Sequence, residues 1–270
     1  LDNPNRTLTD PYEGQQLGEI WGYVVDGYFK TDEEARNYKV DQSFVNQMIN
    51  ASALDNGLHA GDLKFVDLDG NNKIEQTTSA NDRKDMKVIG NSLPRYNYNF
   101  GISADWYGID FSVLFQGIGK QNWYPGAETS MFWGPYSRPY ASFIPSDFMS
   151  QVWSEENTDA YFPRPRGYVA LGSNRELAVV NTKYLQNLAY CRLKNLSIGY
   201  TLPDKWLSKI GFEKIRVYFS GENLLTFTKL HSDYIDPEQA SASNSWKTSK
   251  SDANIYPWAK TYSFGVDITF

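Results

Sequence analysis

The last nine residues of the chain, Tyr262-Ser263-Phe264-Gly265-Val266-Asp267-Ile268-Thr269-Phe270, sort by parity. Tyr262, Phe264, Val266, Ile268 and Phe270 are large and apolar, whereas the residues between them are small or polar. Successive side chains of an extended chain point to opposite faces, so this stretch reads as a strand with one oily and one wet surface. A soluble sandwich produces the same alternation. A carboxylate directly after an aromatic-tipped apolar strand is awkward in a soluble core. It is natural at the rim of a membrane barrel, where lipid bathes the apolar side and aromatic residues line the interface. The expectation is a lipid-facing strand.

Four more stretches alternate in the same way. In 96–104, Tyr96, Tyr98, Phe100 and Ile102 oppose Asn97, Asn99, Gly101 and Ser103. In 109–117, Ile109, Phe111, Val113 and Phe115 oppose Asp110, Ser112 and Gln116, with Leu114 the exception on the wet side. Asp105-Trp106-Tyr107-Gly108 between them is short enough for a hairpin reversal. In 195–202, Leu196, Ile198, Tyr200 and Leu202 oppose Asn195, Ser197, Gly199 and Thr201; in 214–226, Ile215, Val217 and Phe219 oppose Arg216, Tyr218, Ser220 and Glu222. Residues 17–30 mix β-branched and aromatic residues with glycine and read as a sixth strand. Arg192 and Lys194 fall on the apolar parity of their strand. Either they sit at a membrane rim, near anionic headgroups, or a bulge flips the parity there; both readings stay open.

The expected fold is all-β, the C-terminal portion of a large transmembrane antiparallel β-barrel with long extracellular loops. Strands are expected near 17–30, 95–105, 108–118, 188–202, 213–227 and 257–270. The connections 31–92, 119–187 and 228–256 are long, and those at 105–108 and 203–212 are short. Barrels of the outer membrane are built with short periplasmic turns and long extracellular loops. Six strands fall below the minimum of about 8 for a membrane barrel and would leave open edges in lipid. The remaining strands are therefore expected in an N-terminal part absent from this sequence, which opens at Leu1 without an initiator Met, and the polar face of these strands is expected to meet water or a plug.

Composition narrows the alternatives. No run approaches the roughly 20 apolar residues of a spanning helix, which excludes a helical membrane protein but not a barrel. Net charge is −6 with a pI of about 5.1, and no Lys/Arg stripe stands out, so nucleic acid is not an expected partner. The single cysteine, Cys191, has no internal disulfide partner.

Residues 61–75 hold the one metal-like constellation. Asp67, Asp69 and Asn71 alternate, Lys73 offers a backbone carbonyl at the seventh place and Ile74 is the hydrophobe at the eighth, as in a calcium loop. The sixth place is Asn72 instead of glycine, the twelfth is Thr78, and Asp82 follows four residues later. The set Asp67, Asp69, Asn71, Lys73 and Asp82 is a possible Ca2+ site; the plain alternative is an Asp/Asn/Gly-rich turn without an ion. No other cofactor is expected. Residues 31–49 carry a capping pattern at Thr31 or Asp32 and read as a short helix within a loop. The loop 119–187 carries Trp123, Tyr124, Trp133, Tyr136 and Trp153, which either stack on substrate, pack on a partner or pack on each other.

Gly61-Asp62-Leu63-Lys64-Phe65-Val66-Asp67-Leu68-Asp69-Gly70-Asn71, Asn81-Asp82-Arg83 and Val88-Ile89-Gly90-Asn91-Ser92-Leu93-Pro94-Arg95-Tyr96 resemble the corresponding run of the SusC/RagA-type TonB-dependent outer-membrane transporters of Bacteroidetes. So do Phe115-Gln116-Gly117-Ile118-Gly119-Lys120, Tyr190 to Tyr200, Arg216 to Leu225 and Tyr262-Ser263-Phe264-Gly265. The likeness runs in order through most of 12–270. It implies import of glycans or oligopeptides, a SusD-like surface lipoprotein as lid, and TonB engaged through the missing N-terminal part. It also implies an ending, Tyr262, Phe264 and Phe270, read by the barrel insertion machinery, and a wall bathed in outer-membrane lipid. In the family an Asp-Arg pair closes the twelve-place count of the Asp-rich loop; here four further residues precede Asp82.

Two other classes fit the residues less well. A glycoside hydrolase needs paired carboxylates at a set distance, and no Asp/Glu motif here supplies them; His59 and His231 lie in loops without a nucleophile pattern. A soluble carbohydrate-binding β-sandwich suits the aromatics and an Asp-rich turn, but not the long/short rhythm of the connections. No enzyme activity is expected.

Overall fold

The computed structural model describes residues 2–46, 57–137, 144–165, 168–172, 175–207, 211–240, 250–251 and 256–270. The strands in chain order are β1 (Glu19–Tyr23), β2 (Val25–Tyr28), β3 (Leu63–Phe65), β4 (Met86–Asn91), β5 (Arg95–Trp106), β6 (Ile109–Lys120), β7 (Asn122–Pro125), β8 (Gln186–Asn187), β9 (Tyr190–Thr201), β10 (Lys214–Thr228), β11 (Lys250–Ser251) and β12 (Thr261–Thr269). Short helices α1 (Asp32–Arg36), α2 (Ser130–Trp133), α3 (Asp204–Leu207) and α4 (Pro237–Ala240) lie between them.

Two bodies of opposite character result. The first is a five-stranded antiparallel meander, β5-β6-β9-β10-β12, whose longest member, β10, has 15 residues. A tilted spanning strand needs about 9–11 residues, so every member is long enough. Register aligns the apolar positions into rows that cross the whole sheet. One row is Ala104–Phe111–Ile198–Phe219–Phe264; another is Trp106–Ile109–Tyr200–Val217–Val266. Among the described residues no second layer covers this face: Phe264 is 83% exposed, and Val266 and Ile268 are exposed with it. On the opposite face a row of five serines, Ser103–Ser112–Ser197–Ser220–Ser263, runs between the same strands.

The second body is built from the long connections and holds the core. Phe65, Ile74, Tyr124, Trp133 and Leu177 are all fully buried in one cluster there. A soluble protein hides its strands and exposes its loops; here the extended sheet is exposed and the loops carry the aromatic interior.

The segment 17–30 departs from expectation. It forms β1 and β2, which pair with β4 and β3 and do not join the five-stranded sheet. The reason is visible in its parity: Ile20 and Tyr23 lie on opposite faces and both are buried, so the strand has an interior on each side, as a lipid-facing strand does not. The helix expected in 31–49 is the single turn α1. Thr31 Oγ1 accepts from Glu34 N at 3.1 Å to cap it, and the continuation near Met48 and Ile49 lies outside the described residues.

The β5–β6 hairpin turns on Tyr107 (φ +47°) and Gly108 (φ +84°), the paired left-handed geometry of a two-residue turn matched to strand twist. A Cβ on Gly108 would also lie 2.9 Å from the Thr201 carbonyl oxygen. At the other end of the sheet, β9 is bulged. Asn195 pairs with Leu114 and Glu222, but the next partners are Leu193 with Phe115 and Leu225, leaving Lys194 unmatched. The bulge decides the open question about Arg192. Beyond it Arg192 shares a row with Gln116 and Thr226 on the polar face, so it is not a cation on the apolar surface.

Candidate functional site

Four features of the polar face and the loop body bear on function. The first is an ion bridge across the sheet. Arg216 on β10 reaches over β9 and donates to both oxygens of Asp110 on β6, Nε at 2.8 Å and Nη2 at 2.6 Å, while Nη1 donates to Asp267 on β12 at 3.1 Å. The bridge spans four strands because the crossing position is Gly199, where a Cβ would lie 2.4 Å from Asp110 and 2.6 Å from Arg216. Asp105 sits directly opposite Asp110, so this end of the face is net acidic. Toward the other end, Asn97, Asn99, Gln116, Tyr190 and Glu238 line an open concavity of about 770 Å³.

The second is a buried charge cluster that ties the connection after β10 to the polar face. Arg192 donates to Thr226 Oγ1 (2.9 Å), to Glu238 (2.6 Å) and to Asp236 (2.7 Å), and its side chain is 2% exposed. Lys194 donates to Glu238 at 2.9 Å and lies 5.5 Å from the Trp258 ring centroid. Asp236 also accepts from the Glu238 backbone N–H, starting α4. The chain signals this locally as Asp236-Pro237-Glu238, a helix start, but only the fold shows what it meets.

The third is the fate of the aromatic loop residues. Trp123, Tyr124, Trp133, Tyr136 and Trp153 are all buried in the loop cluster, so of the three readings open for them this burial favours packing on each other over faces offered to a substrate or partner. Trp133 is 0% exposed, stands edge-on to Phe132 and Tyr184, and donates Nε1 to Gly126 O at 2.9 Å. The Tyr136 hydroxyl donates to Pro163 O and that of Tyr124 to Leu177 O. Trp153 lies over Gly61, where a Cβ would be 2.6 Å from the indole and φ is +81°. These rings are the glue of the loop body. Composition alone does not separate a stacking platform from a core, because both are built of the same residues.

The Asp-rich loop closes as an oxygen-lined turn. Asp67 accepts from the N–H groups of Gly70 and Asn72, each at 2.7 Å, and Asn71 Oδ1 accepts from Lys73 N at 2.8 Å. Asn72 has φ +62°, supplying at the sixth place the left-handed residue that glycine usually provides. Ile74 is fully buried. The carboxylate that comes beside Asp67 and Asp69 is that of Asp85, not that of Asp82. Carboxylate oxygens of Asp67, Asp69 and Asp85 lie within 4.8 Å of one another, whereas Asp82 turns to Lys84 at 3.5 Å. Asp85 is held there by the N–H groups of Leu68 (2.8 Å) and Glu75 (2.7 Å). Burial pushes the Asp85 carboxyl above its usual range, those amides partly offset this, and the charges of Asp69 and Asp67 add to the rise. Three hard carboxylates within reach of one another are the donor type that Ca2+ takes.

Tyr262 and Phe264 lie exposed on the apolar face, and Phe270 is exposed beside Phe212 at 5.3 Å between ring centroids.

No protein-family model matches the chain. It is 28% identical over 264 residues to TonB-dependent receptor P3 of Formosa agariphila, covering 96% of this chain and 22% of that protein. TonB-dependent receptor P39 of the same organism is 26% identical over 283 residues, with 96% and 25% covered. Among solved structures, the RagAB peptide importer in its open-open state matches with a TM-score of 0.55 at 19% identity, over 97% of this chain and 25% of that one. The closed-closed state matches with a TM-score of 0.52 over 93% and 23%. The chain thus spans about a quarter of the length of the proteins it matches. The five-stranded meander is part of the wall of a transmembrane antiparallel β-barrel, with its apolar rows outward and its serine row toward the lumen. The chain is thus similar along nearly its whole length to segments of TonB-dependent receptors, and it shares the fold of a segment of the RagAB peptide importer.

Proposed function

We propose that the full-length protein is a TonB-dependent importer of the bacterial outer membrane, moving glycans or oligopeptides with a SusD-like surface lipoprotein as its lid. In this reading the chain supplies barrel wall and the loop body at the lid-facing mouth. The short turns at Tyr107-Gly108 and 203–212 are periplasmic, and the long connections 31–92, 119–187 and 228–256 are extracellular. The observation that carries the reading is the inversion of burial. A sheet whose apolar rows meet no protein layer needs lipid on that side, and a lumen wall of serines, carboxamides and one ion bridge needs water or a plug on the other. The named relatives are receptors and importers, and no catalytic step is proposed. The solved neighbour is named as a peptide importer, so an oligopeptide is the first substrate class to try, with a glycan as the second.

TonB would be engaged by the part of the protein outside this chain. Tyr262, Phe264 and Phe270 would be read by the insertion machinery, and Asp67, Asp69, Asn71 and Asp85, with the Lys73 carbonyl, would hold Ca2+ at the base of the loop body. The test is growth and uptake by cells producing the full-length protein in which loop 119–187 is deleted. Uptake should be lost while the barrel still migrates as a folded, heat-modifiable species in outer-membrane fractions. Unchanged uptake, or a protein recovered in the soluble fraction, overturns the reading.

A further inference from the structure

The concavity on the polar face of the wall is built from strand positions whose spacing the backbone fixes. Asn97 and Asn99 are two residues apart on β5, so both carboxamides leave the same face of the sheet, about 6.8 Å apart along the strand. Gln116 on β6 is the direct cross-strand partner of Asn99, and Ile118 that of Asn97, at the roughly 5 Å spacing of facing side chains. All three carboxamide side chains belong to exposed residues. Among the described residues, neither Asn97 nor Asn99 commits its side-chain amide to a neighbour. Tyr190, at the start of β9, and Glu238, in α4, bound the other sides. The volume of about 770 Å³ falls within the range of about 300–1,000 Å³ usual for ligand sites.

The chemistry of the lining selects among visitors. Its one carboxylate, Glu238, is matched by Arg192 at 2.6 Å and Lys194 at 2.9 Å, and Asp236 balances the second cation. A charged side chain would therefore lose water there without meeting a free opposite charge. Tyr190 is 3% exposed, with the Arg192 guanidinium 5.5 Å from its ring centroid, so it presents no face for a sugar ring to stack on. Tyr98 belongs to the outward parity, and its hydroxyl donates to Tyr190 O at 2.9 Å. What remains is a set of carboxamides, each with two N–H donors and a carbonyl acceptor. A peptide unit is their complement, with one N–H and one C=O. An extended peptide turns every second residue to the same side, again at a period of about 6.8 Å, so a chain laid along β5 meets Asn97 and Asn99 in step.

We infer that this stretch of wall is a binding subsite for the main chain of an extended oligopeptide, held by Asn97 and Asn99 along the strand and by Gln116 across it. The inference rests on the importer reading above and narrows its substrate to the peptide class. The groups it reads are common to every peptide, so the subsite tolerates sequence.

The test uses the full-length transporter in detergent, as isolated from outer membranes. The probes are a neutral decapeptide of alternating serine and alanine, the same peptide N-methylated at every second residue, a neutral decapeptide of different sequence, and maltoheptaose. The variant N97L/N99L keeps side-chain size and removes the amides. It should bind the first decapeptide about tenfold or more weakly, as loss of several hydrogen bonds implies, with heat-modifiable migration unchanged. N-methylation should cost wild type a similar factor and cost N97L/N99L nothing further, a result that a structural role for the asparagines would not produce. The peptide of different sequence should bind wild type as the first does; strong preference for one sequence overturns main-chain reading. Equal binding of the decapeptide by wild type and variant overturns the subsite and leaves the importer reading intact. Binding of maltoheptaose in place of the peptides overturns the peptide assignment alone. Failure of wild type to bind any probe also overturns the subsite, and the importer reading falls with it only if deletion of loop 119–187 leaves uptake unchanged.

Discussion

Arg192 and Asp236 meet at 2.7 Å with both side chains almost withdrawn from water, one on the barrel wall and the other at the start of a helical turn in the following connection. Glu238 completes the pair as a triad at 2.6 Å. A buried cation is tolerable only with such partners, and removing one member strands the others. Replacing Arg192 with methionine should therefore release residues 229–240 from the wall, at a local cost of about 3–5 kcal/mol. Hydrogen exchange and limited proteolysis of that segment read the loss, while heat-modifiable migration of the barrel stays unchanged. The triple variant R192M/D236N/E238Q should recover much of the protection.

The bridge from Asp110 through Arg216 to Asp267 exists because Gly199 leaves room for it. Gly199→Val should displace the guanidinium and lower barrel stability by about 1–3 kcal/mol, as overpacking does. A matched Arg216→Ala variant with Gly199→Val should show less than the sum of the two effects, since both remove one interaction. Thermal loss of heat-modifiable migration is the measurement.

Trp133 is enclosed by Phe132, Tyr184 and Phe162. Trp133→Ala should destabilise the loop body by about 3–5 kcal/mol through the cavity it leaves, and increase protease cleavage within 119–187. Substitution of the exposed Tyr234 should leave that protease pattern unchanged. If Trp133 were instead a stacking platform, its removal would weaken ligand binding without loosening the loop.

Calcium should separate Asp85 from Asp82. In chelator, Asp85→Asn should stabilise the loop, because its folded carboxyl is raised above the unfolded value and its ionised form is disfavoured at neutral pH. With calcium the order reverses: wild type gains thermal stability and the Asp85→Asn protein does not, whereas Asp82→Asn gains as wild type does. An identical calcium response in all three proteins overturns the assignment.

The His231 ring is held below its ordinary value of 6.5 by burial, an effect Asp233 offsets and the nearby Lys183 reinforces. A depressed histidine favours the neutral form in the fold, so its contribution is fully present above about pH 6.5 and is lost as pH falls through the folded value. Acidification should therefore loosen the contact of His231 with Tyr161 and Gln151, increasing cleavage between 229 and 240. His231→Phe keeps the stacking and has no proton to gain, so its cleavage should be flat over the same range.

Much of the wall is legible by eye because strand alternation is a local property. Each of Phe264, Val266 and Ile268 declares its face through the two residues beside it, and the five in-register serines follow once the strands are paired. The loops are less legible. Trp133 and Trp153 are the same residues whether they face a sugar or each other, and burial depends on what returns from elsewhere in the chain: Gly61 beneath Trp153, Tyr184 beside Trp133.

By itself, then, the chain determined that it would form lipid-facing ribbons joined alternately by short turns and long connections, since period-two patterning and turn chemistry act over a few residues. Tertiary structure decided the rest. One unmatched residue at Lys194 turned Arg192 from the lipid side to the lumen, and the N–H groups of Leu68 and Glu75 held Asp85, in place of Asp82, beside Asp67 and Asp69. Each of these depends on register or loop closure between segments far apart in the chain, where a shift of one residue exchanges the two faces of a strand and no neighbouring side chain records the choice.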